Sequence, residues 1–265
     1  MTKFKYASFN QSPLQENTKH QFAMNHALQL FKANAVYSFI PKNGCSTLRL
    51  SVAVANGCID DIEQGHWIHK NNHTFNPTLA EAVKANYQFV ILRCPFRRLA
   101  SVFLDKFVAK EPPAWAYRDL LERRIELDDL TFTDFVLSLR QSQVFKSDIH
   151  WCPQVDFLLY ENYSDYFALE NFPKVKKTLK EKINLDIIDA RPLTAHGIDG
   201  YALLSDGDYS QMQAFDIALL KRQGQCPAPA SLYTPELIEV VKDLYLQDIA
   251  LYKNKCGVNN LLFSV

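Results

Sequence analysis

Within the 265 residues no apolar run approaches the roughly 18 residues needed to cross a bilayer, and the first 30 alternate polar and apolar positions without the apolar stretch of a secretory leader. The expectation is a soluble, cytoplasmic chain with no membrane span. Charge of one sign is equally lacking: 29 Lys and Arg meet 29 Asp and Glu, so the net charge is zero with His neutral. No global field draws the chain to nucleic acid or to an anionic membrane, and any anion site must be local. The six cysteines are scattered without a CxxC pair, which excludes a dense disulfide framework and fits reduced thiols. No internal repeat or low-complexity linker divides the chain. What is present is a 48% hydrophobic composition, enough for a sizeable core.

The apolar run Ala35 to Ile40 is closed by Pro41, and the segment after Gly44 reads as a helix. Tyr87 to Leu92 repeats this grammar: it runs into Arg93-Cys94-Pro95 and then a helix with Leu99, Val102, Phe103 and Phe107 on one face. Tyr166 to Leu169 reads as a third strand, with Pro173 in the first turn of the next helix. Thr131 and Asp134 have capping-box spacing, and Thr234-Pro235-Glu236 supplies an N-cap, a first-position Pro and an early acid. Residues 1–30 read as an N-terminal extension and 190–232 as loop-rich with short helices. The expected architecture is one α/β domain over 1–265, with a central parallel sheet flanked by helices and a site at the carboxyl ends of the strands.

Two strand-to-helix loops carry the chemistry. In the first, Lys42 brings a full charge, Gly44 permits close backbone approach, Ser46 and Thr47 offer hydroxyls, and the helix start offers amides. It is not a Walker A loop, since the Lys precedes the only Gly, so ATP or GTP hydrolysis is not advertised. In the second, Arg93 sits at a strand end with Ser101 about two helical turns on, a spacing at which both reach one anion. Arg97 and Arg98 read as solvated helix residues.

Together the loops resemble those of the sulfotransferases that use 3′-phosphoadenosine 5′-phosphosulfate (PAPS), specifically the carbohydrate sulfotransferase group. The first loop is PKNGCST at 41–47 and the second RCPFRRLASVFLDKF at 93–107. Asp148-Ile149-His150-Trp151 is similar to the family's histidine-tryptophan segment, and Tyr166 to Glu170 to its next strand. The resemblance implies a P-loop nucleotide-kinase-like fold and sulfuryl transfer from PAPS to a carbohydrate or glycolipid hydroxyl, with no metal. It implies that Lys42 meets the phosphosulfate bridge, that the Asn43, Gly44, Cys45, Ser46 and Thr47 loop holds the 5′ phosphate, and that Arg93 with Ser101 holds the 3′ phosphate. Two departures stand out. Cys94 replaces the usual Asp, and the paired cysteines after the histidine-tryptophan segment are reduced to Cys152. The missing membrane anchor of the Golgi members points to a bacterial-type cytoplasmic enzyme.

Sulfuryl transfer also needs a base for the acceptor proton, and His has the suitable pKa. The candidates are His66, His69 and His73 in one cluster and His150 in another, with His69 or His73 preferred. The spacing of the first cluster also permits a metal site on one helix face, but Asn71 and Asn72 are poor helix formers and no cysteine is near. His150 reads equally as a structural neighbour of Trp151. Asp105 and Lys106 line an acceptor cleft or an exposed face. Arg118, Arg123, Arg124 and Lys146 are offset by local acids and read as solvated surface. Arg191, His196, Lys221 and Arg222 are unranked donor or acceptor contacts. Two alternatives remain: an ATP-dependent phosphotransferase, and a non-catalytic nucleotide-binding relative.

Overall fold

The computed structural model describes residues 3–9, 11–60, 62–71, 73–193 and 200–265. The chain divides into two units: Met1–Arg93 with Pro153–Ala195 and Leu251–Gly257, and Cys94–Cys152 with His196–Ala250 and Val258–Val265.

In the first unit, β1 (Ala27–Leu30), β2 (Ala35–Ser38), β3 (Tyr87–Leu92) and β4 (Asp165–Ala168) form one sheet in that order. β2, β3 and β4 are parallel, with Ser38 opposite Val90 and Leu92 opposite Ala168. All six residues of β3 are buried, which is why its sequence, Gln88 apart, is apolar rather than alternating. The Cys45–Ala55 and Phe172–Ile183 helices cover the sheet, and their Leu48, Val52, Val175 and Leu179 share a core with Tyr37, Phe89 and Phe167. Tyr37 and Phe89 stack at 4.9 Å across the parallel pair. The central parallel sheet flanked by helices is therefore present. The difference is β1, an antiparallel edge strand supplied by the end of the N-terminal segment. A four-residue link through Asn34, at φ +45°, leaves room only for a hairpin, and a hairpin is antiparallel.

In the second unit the Pro95–Val102 helix passes into a π-helical turn over Phe103–Phe107. Phe103, Phe107, Tyr117, Phe135 and Trp151 form an aromatic core, Phe107 and Phe135 lying 4.5 Å apart. Both expected caps are present: Thr131 and Asp134 exchange hydrogen bonds in a complete capping box, and the Thr234 side chain accepts from the Leu237 amide. The 190–232 stretch holds more than short helices. β5 (Ala202–Leu204) pairs in parallel with β6 (Gln225–Pro227) across the Ala214–Arg222 helix. Arg98 corrects the sequence reading: it is 2% exposed and donates to the carbonyls of Cys152 at 2.7 Å and Ile149 at 3.2 Å. Buried carbonyls that no strand or helix satisfies take up the guanidinium donors.

Candidate active site

The loop after β2 and Arg93 after β3 stand at the carboxyl ends of adjacent parallel strands, all within the first unit. Lys42 and Gly44 both adopt positive φ, +71° and +73°. Gly44 caps the Cys45–Ala55 helix without a side chain to close its first amides, so the positive end of the helix faces outward. A Cβ at Gly44 would lie 3.1 Å from Leu169 Cδ1, which makes glycine the residue that fits both the dihedral and the space.

Each candidate in this loop has a definite place. The Ser46 hydroxyl makes no hydrogen bond to the described residues and is half-buried at the helix start. Thr47 Oγ1 accepts from the Ala190 amide at 3.2 Å, tying the helix start to the segment after the Phe172–Ile183 helix. Cys45 hydrogen-bonds Arg49, whose guanidinium also donates to the Ile68 carbonyl. Asn43 turns inward. Its side chain is fully buried, and Nδ2 donates to the Ile91 carbonyl at 2.8 Å and to Gln154 Oε1 at 2.6 Å.

The two loops meet directly. Arg93 Nη1 donates to the Lys42 carbonyl at 2.8 Å. Gln154 Oε1 accepts from the Arg93 amide at 3.0 Å, while Gln154 Nε2 donates to the Arg93 carbonyl at 2.9 Å. Sequence reasoning placed Lys42 and Arg93 in one site but missed Gln154. Nothing in the apolar stretch after Pro153 marks a glutamine as special.

The first histidine cluster is less regular than its spacing suggests. His69 is exposed on a single helical turn, Trp67–Lys70, and His66 lies just before it, with ring centroids 6.4 Å apart. Helix ends at Asn71, and Asn72 lies outside the described residues. His73 sits beyond, with Nδ1 2.9 Å from Asn76 Oδ1. His26, which the sequence gave no reason to single out, belongs to the same neighbourhood. Burial lowers its pKa, the Phe22 carbonyl works against this, and the nearby His73 and Arg49 lower it further. Arg49 and His73 both act electrostatically on His26, and among the described residues no carboxylate is in salt-bridge contact with Arg49.

The second unit holds the remaining candidates. Ser101 is half-buried on the Pro95–Val102 helix, and its hydroxyl has no partner among the described residues. Cys94 precedes that helix without capping it by its side chain; its buried Sγ instead accepts from the Leu262 amide at 3.3 Å. The residue that departs from the family's Asp thus helps to anchor the C-terminal segment. His150 Nδ1 lies 2.6 Å from Asp148 Oδ1, which also accepts from the His150 amide at 2.8 Å. Burial pushes the Asp148 carboxyl up, but the bonds and charge of His150, with Lys106 farther off, outweigh it and hold the pKa below the usual value. The Asp-x-His spacing of a tight turn is the signal that finds this pair. Asp105 is buried and Lys106 nearly so, 3.0 Å apart, which removes the exposed-face reading for both. Arg118, Arg123 and Arg124 pair with Glu126, Asp119 and Glu122 on the surface, as expected. His196 lies outside the described residues.

The model of the family described as "Sulfotransferase family" matches residues 25–254. The chain belongs to the sulfotransferase family. Its central sheet, flanking helices and strand-end loops are consistent with that fold, and its general chemistry is sulfuryl transfer. No curated protein and no solved structure gives a match. In this sulfotransferase no helix among the described residues is long and apolar enough to cross a membrane. No group of three or more His, Cys, Asp or Glu among the described residues is placed to hold a metal ion.

Proposed function

We propose that this sulfotransferase moves the sulfuryl group of 3′-phosphoadenosine 5′-phosphosulfate to a hydroxyl of a carbohydrate or glycolipid acceptor. The observation that carries the donor is the hydrogen bond from Arg93 to the Lys42 carbonyl, which joins both anion loops at the ends of β2 and β3. The residues present fit such a group: an uncapped helix start, a left-handed Gly44 that a Cβ would crowd, a free Ser46 hydroxyl and two cationic side chains. The carbohydrate acceptor rests on the resemblance of the two loops to the carbohydrate group. Six free cysteines support a reducing, cytoplasmic setting. The family match runs through both units, which supports one sulfotransferase domain over 1–265.

When bound, the donor supplies the sulfuryl group and an adenosine 3′,5′-bisphosphate leaving group. Lys42 and the first amides of the Cys45–Ala55 helix stabilise negative charge on the departing phosphate oxygen. Arg93 holds a phosphate by a charged fork, and Ser101 adds a hydroxyl by the family resemblance. A histidine removes the acceptor proton. His73 is supported by acting, as Arg49 does, on His26, and Arg49 is bonded to Cys45 of the donor loop. His150 is supported by Asp148, which accepts from Nδ1 and leaves Nε2 as the basic nitrogen. His69, exposed on its single turn, is the third candidate.

Calorimetric titration with adenosine 3′,5′-bisphosphate and with ATP, on wild type and Arg93→Ala, tests this reading. The bisphosphate should bind, and Arg93→Ala should weaken it by about 2–5 kcal/mol, the typical cost of deleting one partner of a buried charge pair. A preference for magnesium-ATP would instead favour a phosphotransferase. Bisphosphate binding without turnover on any glycan would favour a non-catalytic relative.

A further inference from the structure

We infer that Gln154 is a positioning residue for the donor site, setting the direction of Arg93 and its register against the Lys42 loop; this rests on the donor-binding reading above. Gln154 is 1% exposed and follows Pro153 on a 3-10 turn, Gln154–Phe157. Its amide grips both peptide groups of one residue. Oε1 takes the Arg93 N–H at 3.0 Å and Nε2 gives to the Arg93 carbonyl at 2.9 Å. Holding both flanking peptide planes fixes the backbone from which the guanidinium projects. The same Oε1 accepts from Asn43 Nδ2 at 2.6 Å, and Asn43 in turn holds the Ile91 carbonyl of β3. One side chain therefore clamps the end of β3 and the loop after β2, and Arg93 completes the ring by bonding the Lys42 carbonyl.

Stability alone does not explain this arrangement. An amide loses its water on burial and recovers the cost only when every group is paired, whereas an apolar side chain of similar volume carries no such cost. Here the pairing is incomplete, because buried Asn43 Oδ1 has no donor among the described residues. A polar cluster that is costly to bury, placed under two phosphate-binding loops, is accounted for by the geometry it imposes.

The test uses the full chain, with Gln154→Met as a near-isosteric variant and Gln154→Asn as a shorter amide. Bisphosphate affinity should fall at least about tenfold in Gln154→Met, a 1.4 kcal/mol change, with the donor KM rising and the acceptor KM moving less than about twofold. Because Gln154 acts through Arg93, adding Gln154→Met to Arg93→Ala should cost little more than Arg93→Ala alone. Amide exchange at Arg93 should quicken in both Gln154 variants without any ligand. Should Gln154→Met fail to fold, Gln154→Asn is read in the same titration, with an affinity loss of about threefold or more expected. Unchanged donor affinity in a folded Gln154 variant, or full additivity with Arg93→Ala, overturns the inference and leaves the donor reading standing. Wild type that does not bind the bisphosphate overturns both.

Discussion

At Lys42 backbone strain coincides with the proposed contact to the departing phosphate. A non-glycine residue at φ +71° costs on the order of 1–3 kcal/mol and persists where the surroundings fix it, here through its carbonyl bond to Arg93. Replacing Lys42 by alanine leaves that backbone preference nearly unchanged, since both are L residues with a Cβ, so the effect isolates the ammonium group. Lys42→Ala should lower kcat by about 10²–10³-fold, the usual consequence of removing one donor from a developing negative charge. The acceptor KM should stay close to wild type. Steady-state kinetics check this, and an unchanged kcat would remove Lys42 from the chemistry. Gly44 beside it obeys the opposite logic: its left-handed dihedral and the 3.1 Å approach of Leu169 both penalise any side chain.

At the scale of elements, what was legible in the sequence had a local cause. β3 was found residue for residue because the unbroken apolar run Phe89–Leu92, preceded by Tyr87 and Gln88, ends at an Arg-Cys-Pro break. The Thr131 and Thr234 caps were found because hydroxyls at the right spacing satisfy specific amides. Thr131→Ala should therefore cost about 1 kcal/mol by loss of its capping bonds. Denaturant unfolding reads this loss, while bisphosphate affinity should be unaltered; a variant as stable as wild type would show the box to be idle. The π turn at Phe103–Phe107 was read as plain helix, because the inserted residue changes no polar pattern and the phenylalanines pack either way. β1 was missed because Ala27–Leu30 is only four residues long, and its buried Gln29 breaks the apolar run. The two strand-to-helix loops were legible from residue types alone. The clamp beneath them was not, because Asn43, Arg93 and Gln154 are brought together only by the parallel sheet and the return of the chain at Pro153. The same holds for His26, which joins Arg49 and His73 by folding and not by spacing.

For the whole molecule, balanced charge means that net repulsion does not set stability near neutrality, so the histidines dominate the acid side first. His26 is packed among Phe22, Phe39 and Phe157, with ring centroids 4.4, 5.1 and 4.8 Å away. Burial lowers its pKa from 6.5, and burial lowers that of His20 as well. As pH falls through 6.5 the unfolded chain binds protons that the native chain refuses, so the native state is progressively disfavoured until the lowered pKa is reached. Stability is then greatest above this window and declines on acidification. His26→Phe keeps an aromatic ring in the cage and removes the titrating group, although it forfeits the 2.7 Å bond between Nδ1 and the Phe22 carbonyl. The variant should be less stable than wild type near neutrality, yet lose less on acidification, because one of the two depressed histidines no longer contributes. Urea midpoints measured at about pH 7.5 and about pH 5.5 give the comparison, since the slope of stability with pH counts the protons taken up on unfolding. An equal drop in both proteins would mean that His26 titrates alike in the folded and unfolded chain, and that its aromatic cage does not exclude the charged form.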